Sequence, residues 1–426
     1  MKHIKQHESA VRSYSRSFPT TFKTARGTRL TDVQGNTYLD FFAGAGALNY
    51  GHNHPDLKQP LIDYIAGDNI THGLDMATEA RDAFIGAFHD IVLAPRGLDY
   101  KLLFPGPTGT NAVEAALKLA RKTTGRRTVV SFTNAFHGMT LGSLSVTGNA
   151  FKRQGAGTAL NDTVFMPFDG ALGADVDTLD VFENALTNGG SGLDHPAGVI
   201  VEAVQGEGGT NAARAEWLKR LAGICKAHDI KLIWDDVQAG CGRTGTFFSF
   251  DDLDIEPDFV CLSKSISGYG LPMAIVLVTP ECDRFAPGEH NGTFRGHNPA
   301  FVTATAALQR FWRDDSFAAE VRDKAATLHE RLTTIAAMVP GLSPEVRGRG
   351  LMQGLALGAE GAAEAVAEEA FTRGLIMETS GPDDEVAKFL PPLTLSPQEL
   401  AEGLDIFEQA VLSVAKARGV ALNRAA

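Results

Sequence analysis

Val199-Ile200-Val201 runs into Glu202-Ala203-Val204-Gln205-Gly206-Glu207-Gly208-Gly209; Lys231-Leu232-Ile233-Trp234 runs into Asp235-Asp236-Val237-Gln238; Phe259-Val260-Cys261-Leu262-Ser263 runs into Lys264. Short apolar runs, rich in β-branched residues and separated by helical sequence, read as buried parallel strands of an α/β sheet. Ligands of such sheets bind outside the carboxyl ends of the strands. The three runs therefore deliver Glu207, Asp235 and Lys264 to one edge of one sheet.

A lysine and a carboxylate at neighbouring strand ends suit one cofactor in particular. Pyridoxal phosphate needs a lysine amine for its attachment and a carboxylate against its ring nitrogen. An ordinary strand-end turn explains Asp235 taken alone; its company, Lys264 and Glu207, makes the chemical reading the stronger one.

Working outward, Pro105-Gly106-Pro107-Thr108-Gly109-Thr110 is a loop, and Asn111-Ala112-Val113-Glu114 opens an amphipathic helix to about Lys122. Asn111 with Glu114 three residues on has the spacing of a capping box. Free amides and a hydroxyl at a helix start make an anion site, although a well-capped helix is also a sufficient account. The strand Thr128 to Phe132 ends in Asn134-Ala135-Phe136-His137-Gly138-Met139-Thr140. Arg29 to Val33 and Thr37 to Phe41 flank Gln34-Gly35-Asn36, a hairpin signal. Gly44-Ala45-Gly46-Ala47 lacks the third glycine of a dinucleotide loop. Gly51-His52-Asn53-His54-Pro55 reads as a turn before the helix Asp56 to Ile65 rather than as a metal pair. Residues 150–195 read as peripheral loops with one short helix near Val176 to Leu186.

Composition narrows the class. With 426 residues and 44% hydrophobic content the chain can bury a large core and form two domains. A net charge of −12 argues against a nucleic-acid partner. The four cysteines, Cys225, Cys241, Cys261 and Cys282, show no close pairing and no zinc spacing, so reduced thiols and no metal are expected. Met1 to Arg16 is polar, no run approaches membrane-spanning length, and a cytoplasmic protein is expected.

The run Glu202 to Gly209, the run Asp235 to Gly245, and Ser263-Lys264-Ser265 together resemble the class-III aminotransferases. The resemblance covers Val11 to about Leu412. It implies a fold-type I pyridoxal-phosphate-dependent transferase. Its large domain, 56–320, has a mainly parallel central sheet, and a smaller α+β domain comes from 1–55 and 321–426. It further implies that Lys264 carries the cofactor and moves the proton, and that Asp235 faces the ring nitrogen. At about 4 Å and an effective dielectric of 20 such a pair interacts by roughly 4 kcal/mol. Gly109 and Thr110 hold the phosphate, Phe136 stacks on the ring, and His137 orients. Val237 packs beneath the ring, and Gln238 meets its hydroxyl. Thr293 reaches the phosphate of the partner subunit, which implies a homodimer or a higher homo-oligomer. Arg347 receives the carboxylate of a 2-oxo acid and pairs with Glu207 between half-reactions, while Arg349 is structural. The best-known members carry an arginine where this chain has Met139, and that arginine helps hold a substrate carboxylate.

Longer stretches, including Asn69 to Met76, Phe104 to Ala116, Ser263 to Ala274 and Pro287 to Gly296, resemble one branch of the family. That branch moves the 4-amino group between L-2,4-diaminobutyrate and the 2-oxoglutarate/glutamate pair, the first step of ectoine synthesis. Amino acids and 2-oxo acids are the partners so implied. Other ω-aminotransferases, for ornithine, 4-aminobutyrate or a siderophore precursor, are the nearest alternatives. An aminomutase and a non-catalytic cofactor-sensing protein are more distant ones.

Overall fold

The structure is a computed structural model, and residues 2–423 are described. Its centre is a seven-stranded sheet in the order Lys101–Leu103, Ile275–Val278, Phe259–Leu262, Lys231–Asp235, Gly198–Val201, Val129–Phe132, Thr163–Met166. Lys231–Asp235 pairs in parallel with both Gly198–Val201 and Phe259–Leu262, as expected from the three runs. Ile275–Val278 alone runs against its neighbours.

Side-chain alternation explains why these runs become central strands. Val129, Ile200, Ile233, Phe259, Cys261, Val276 and Val278 meet the helix Gly109–Thr124 on one face. Val130, Phe132, Val199, Val201, Leu232, Trp234, Val260, Leu262, Ile275 and Leu277 enter the main core on the other. Both faces are dry, so every residue of the run must be apolar and no polar alternation survives. The helix presents Ala112, Ala115, Ala116 and Ala120 to the sheet, small side chains that let its axis approach closely.

The two outer strands were not visible as strands in the sequence. Thr163–Met166 falls inside 150–195, expected to be loop, and Lys101–Leu103 has only three residues. Each has one neighbour and a half-buried surface, so neither carries the continuous apolar run that marks the centre. The expected helix near Val176 to Leu186 forms as Leu179–Thr187.

Both ends of the chain build the flanking sheets. Phe22–Arg26, Arg29–Asp32 and Thr37–Asp40 form the predicted hairpin and one strand more, and Leu375–Ile376 joins Thr37–Asp40 in parallel. Pro344–Arg349, Met352–Leu357, Val386–Phe389 and Glu378–Ser380 form an antiparallel sheet. The four cysteines are free and buried. No helix among the described residues is long and apolar enough to cross a membrane.

Candidate active site

The carboxyl ends of the three central strands open into a cavity of about 180 Å³. It is lined by Glu202 and Glu207 after the first run, by Asp235, Val237 and Gln238 after the second, and by Lys264 after the third. Gly109, Thr110, Phe136, His137 and Gly138 complete it. Nine of the expected site residues therefore share one cavity within a single chain.

The floor is Asp235, 5% exposed. Its Oδ2 lies 2.7 Å from His137 Nδ1, and its Oδ1 accepts the Val237 amide at 3.1 Å. Burial disfavours a charged imidazole. The Asp235 hydrogen bond and charge outweigh that and raise His137 above its ordinary value. These two hydrogen bonds hold the Asp235 side chain in a fixed orientation. Its neighbour Asp236 points away and accepts the Ser249 amide at 2.9 Å, with burial raising its carboxyl to about 7. Glu202, beside His137, accepts the Phe136 amide at 3.0 Å and is likewise pushed up to about 7 by burial.

Lys264 sits at φ +50°, in the left-handed region that costs a non-glycine residue about 1–2 kcal/mol. Its Nζ donates to Ala45 O at 2.9 Å. Burial is the largest influence on this amine and lowers its pKa, which raises the fraction of neutral nucleophile. Gln238 Nε2 donates to the same carbonyl at 3.0 Å, leaving its buried Oε1 without a partner. The Gly44-Ala45 turn therefore positions two site side chains through one carbonyl. Nothing in its sequence periodicity announces this.

The opposite wall is the start of the helix Gly109–Thr124. The predicted cap moves by three residues: Thr108 is the N-cap, and Asn111 Oδ1 accepts from its amide at 3.2 Å and its hydroxyl at 2.8 Å. Glu114 is not part of that cap. It accepts the Gly142 and Ser143 amides and the Thr140 hydroxyl, at 2.9, 3.1 and 2.6 Å, tying the loop after Phe136 to the helix. A Cβ at Gly109 would lie 2.8 Å from Val237 Cγ1, and one at Gly138 would lie 2.6 Å from Thr110 Oγ1. Only glycine allows these close approaches.

These features fit pyridoxal phosphate. There is an anion cradle at a helix start, a carboxylate floor fixed by His137, an unpartnered amide oxygen at Gln238, and a lysine amine of lowered pKa.

Three expectations come out differently or fall outside the cavity. Glu207 does not pair with Arg347. Its Oε1 is 3.0 Å from Nζ of Lys388, a side chain with no exposure, which also lies 2.9 Å from Glu378 Oε1. Arg347 instead holds Glu345 at 2.7 Å and Glu385 at 3.5 Å, in an adjoining groove. The sequence reading missed Lys388 because an ion pair between distant strands has no local pattern. The available signal was a lone lysine in Val386-Ala387-Lys388-Phe389-Leu390, an otherwise apolar run. Thr293 lies outside this chain's cavity, in the short turn Thr293–Arg295, with its carbonyl on His72 Nε2. Arg349 donates to Ser249 O at 2.6 Å, in keeping with a structural residue. Finally, His52 Nε2 lies 2.8 Å from Asp40 Oδ2, and the stretch from Gly51 leads into the helix Pro55–Ala66.

The class-III aminotransferase profile matches residues 10–411. A diaminobutyrate–2-oxoglutarate transaminase of Halalkalibacterium halodurans is 58% identical over 99% of this chain and 99% of its own length. Those of Nocardia farcinica and Halomonas elongata are 59% and 56% identical, covering 98% and 95% of this chain and 95% and 97% of theirs. An ornithine aminotransferase structure from Toxoplasma gondii superposes with a TM-score of 0.85 at 25% identity, over 98% of this chain and 94% of that one. A transaminase structure from a marine Virgibacillus gives 0.86 at 21% identity, over 98% and 99%, and speaks for the fold alone. The chain belongs to the class-III aminotransferases and is a fold-type I enzyme dependent on pyridoxal phosphate.

Proposed function

We propose that the enzyme interconverts L-2,4-diaminobutyrate plus 2-oxoglutarate with L-aspartate 4-semialdehyde plus L-glutamate, as the first step of ectoine synthesis. The observation that carries this is the 58% identity with a diaminobutyrate–2-oxoglutarate transaminase over 99% of both chains. A cavity with a neutralisable lysine beside a fixed carboxylate supports the chemistry.

The residues divide the work. Lys264 Nζ binds the cofactor between turnovers. As a free amine of lowered pKa, Lys264 Nζ would take the proton from the substrate carbon and return one on the other side of the transfer. Asp235, oriented by His137, would face the ring nitrogen and favour its protonated form. When bound, pyridoxal phosphate supplies an electron sink for the pair left on the substrate carbon. Gly109 and Thr110 would hold the phosphate, Phe136 and Val237 would pack against the ring, and the unpartnered Gln238 Oε1 would accept a hydrogen bond from its hydroxyl.

Glu207 works against Lys388. Paired, the two neutralise each other and admit an amine. A 2-oxo acid brings a carboxylate for Arg347, with Glu385 as a group that cation must leave. Thr293 completes the site of a partner subunit in a homodimer. The division into 56–320 and the two terminal pieces accords with the partition of the sheets.

The test is a steady-state panel with 2-oxoglutarate as acceptor and 2,4-diaminobutyrate, ornithine or 4-aminobutyrate as donor. Ornithine is one methylene longer than diaminobutyrate, a difference worth about tenfold to 200-fold in kcat/KM. Diaminobutyrate should lead by that margin. A higher kcat/KM for ornithine or 4-aminobutyrate would replace this substrate with that one.

A further inference from the structure

Three carboxylates line the cavity, and two of them are spent on protein partners. Asp235 holds His137 Nδ1 and the Val237 amide, and Glu202 accepts the Phe136 amide. Glu207 differs. Its Oε1 meets Lys388 Nζ at 3.0 Å and Gln238 Nε2 at 3.4 Å, while its Oε2 accepts no hydrogen bond among the described residues. The Glu207 side chain keeps 23% of its surface exposed, whereas Lys388 has none exposed.

Lys388 fixes this carboxylate without using it up. Its ammonium is shared with Glu378, 2.9 Å away, and Tyr14 Oη donates to Glu378 Oε2 at 2.9 Å. Lys388 and Glu378 are thus committed to each other and to the N-terminal segment, and neither lines the cavity. Burial raises the Glu207 carboxyl, but Lys388 outweighs burial and keeps Glu207 ionised at neutral pH. The cavity therefore holds a fixed carboxylate with one oxygen open to a ligand.

That oxygen belongs to a group close to the reacting amine. Lys264 Nζ and Gln238 Nε2 donate to the same Ala45 carbonyl, at 2.9 and 3.0 Å, and the same Gln238 nitrogen meets Glu207. Three successive contacts thus link Lys264 to Glu207.

We propose that Glu207 Oε2 receives the second, non-reacting ammonium of a diamino acid, and that this contact selects diamino over monoamino donors. A carboxylate accepting from an ammonium makes a charge-assisted hydrogen bond, among the stronger ones available at a site. The two nitrogens of L-2,4-diaminobutyrate are three carbons apart, so the distal amine reaches toward Lys264 while the other stays at Glu207. The aldehyde product keeps that ammonium and 2-oxoglutarate has none, so the contact serves one half-reaction only. This inference rests on the enzyme taking a diamino acid.

The test compares the donor with its deamino twin, 4-aminobutyrate, which has the same carboxylate and the same reacting amine but no second one. Wild-type, Glu207→Gln and Glu378→Gln holoenzymes are assayed with both donors at fixed 2-oxoglutarate. A hydrogen bond to a charged group contributes a factor of about 10 to 100. Glu207→Gln should lower the ratio of kcat/KM for diaminobutyrate to that for 4-aminobutyrate by that factor, whatever it does to either value alone. Glu378→Gln touches the same lysine but not the cavity, and should keep the wild-type ratio. L-homoserine and 4-hydroxybutyrate, with a hydroxyl in place of the reacting amine, should show the same pattern as inhibition constants. If Glu207→Gln does not fold, Glu207→Asp, which withdraws the charge by one methylene, should lower the ratio in the same direction. An unchanged ratio in the Glu207 variant, or an equal fall in the Glu378 variant, would overturn the proposal. If wild type prefers ornithine, the substrate assignment falls, but ornithine and 5-aminovalerate test Glu207 in the same way.

Discussion

Lys264, half-buried, and Lys388, fully buried, stand at one site, and their pKa values shift in opposite directions. Around Lys264, burial is the largest influence, its nearest hydrogen-bond partner is the neutral carbonyl of Ala45, and its pKa falls. Around Lys388, burial also opposes the charge, but Glu207 and Glu378 outweigh it and its pKa rises. Burial fixes the size of what is at stake, and the partner decides the sign. One lysine is thereby free to react and the other is fixed as a cation.

That contrast can be broken most severely by removing the fixed cation. Lys388→Met leaves two carboxylates facing each other with no counter-charge, and breaking a buried pair in this way costs about 3–5 kcal/mol. Denaturant unfolding should show a loss of that order, partly recovered when Glu378→Gln is added. An unchanged midpoint for Lys388→Met would mean that Lys388 is not held by these two groups.

A smaller effect sharpens the same point through pH. Burial raises the Glu207 carboxyl, but Lys388, then Lys264 and Lys152, outweigh it and bring it from an ordinary 4.5 to about 2. A depressed acid stabilises the folded state above its unfolded pKa and loses that contribution as pH falls through the folded one. The stabilisation from Glu207 should therefore be complete above about pH 4.5 and fade toward pH 2. Glu207→Gln should flatten the stability profile in that window. An identical profile in the variant would contradict the pairing.

What the sequence disclosed follows the same division. Lys264, Asp235 and the strands that carry them were legible because the signal is local: an apolar run whose last residues turn polar. The cradle at Gly109 and Thr110 was legible for the same reason, although its cap lay at Thr108 rather than at Asn111. Lys388 was not, since its meaning comes from strands far apart in the chain, and a lysine in a short apolar run reads as a lapse in the pattern. Arg347 was placed opposite Glu207 by resemblance, whereas the antiparallel sheet of the C-terminal half directs it to Glu345 and Glu385. The outer strands Lys101–Leu103 and Thr163–Met166 escaped because half-buried edges carry a weaker pattern.

The most direct measurement follows the visible spectrum of the purified holoenzyme as 2,4-diaminobutyrate is added without an acceptor, in wild type and in Lys264→Ala. Wild type should convert to the amine form of the cofactor in a single turnover. Lys264→Ala should be slower by at least about 10³-fold, the order of effect of losing a positioned base. Conversion at the wild-type rate in Lys264→Ala would contradict the role given to that lysine. No conversion in wild type with diaminobutyrate, alongside conversion with another amine, would contradict the substrate.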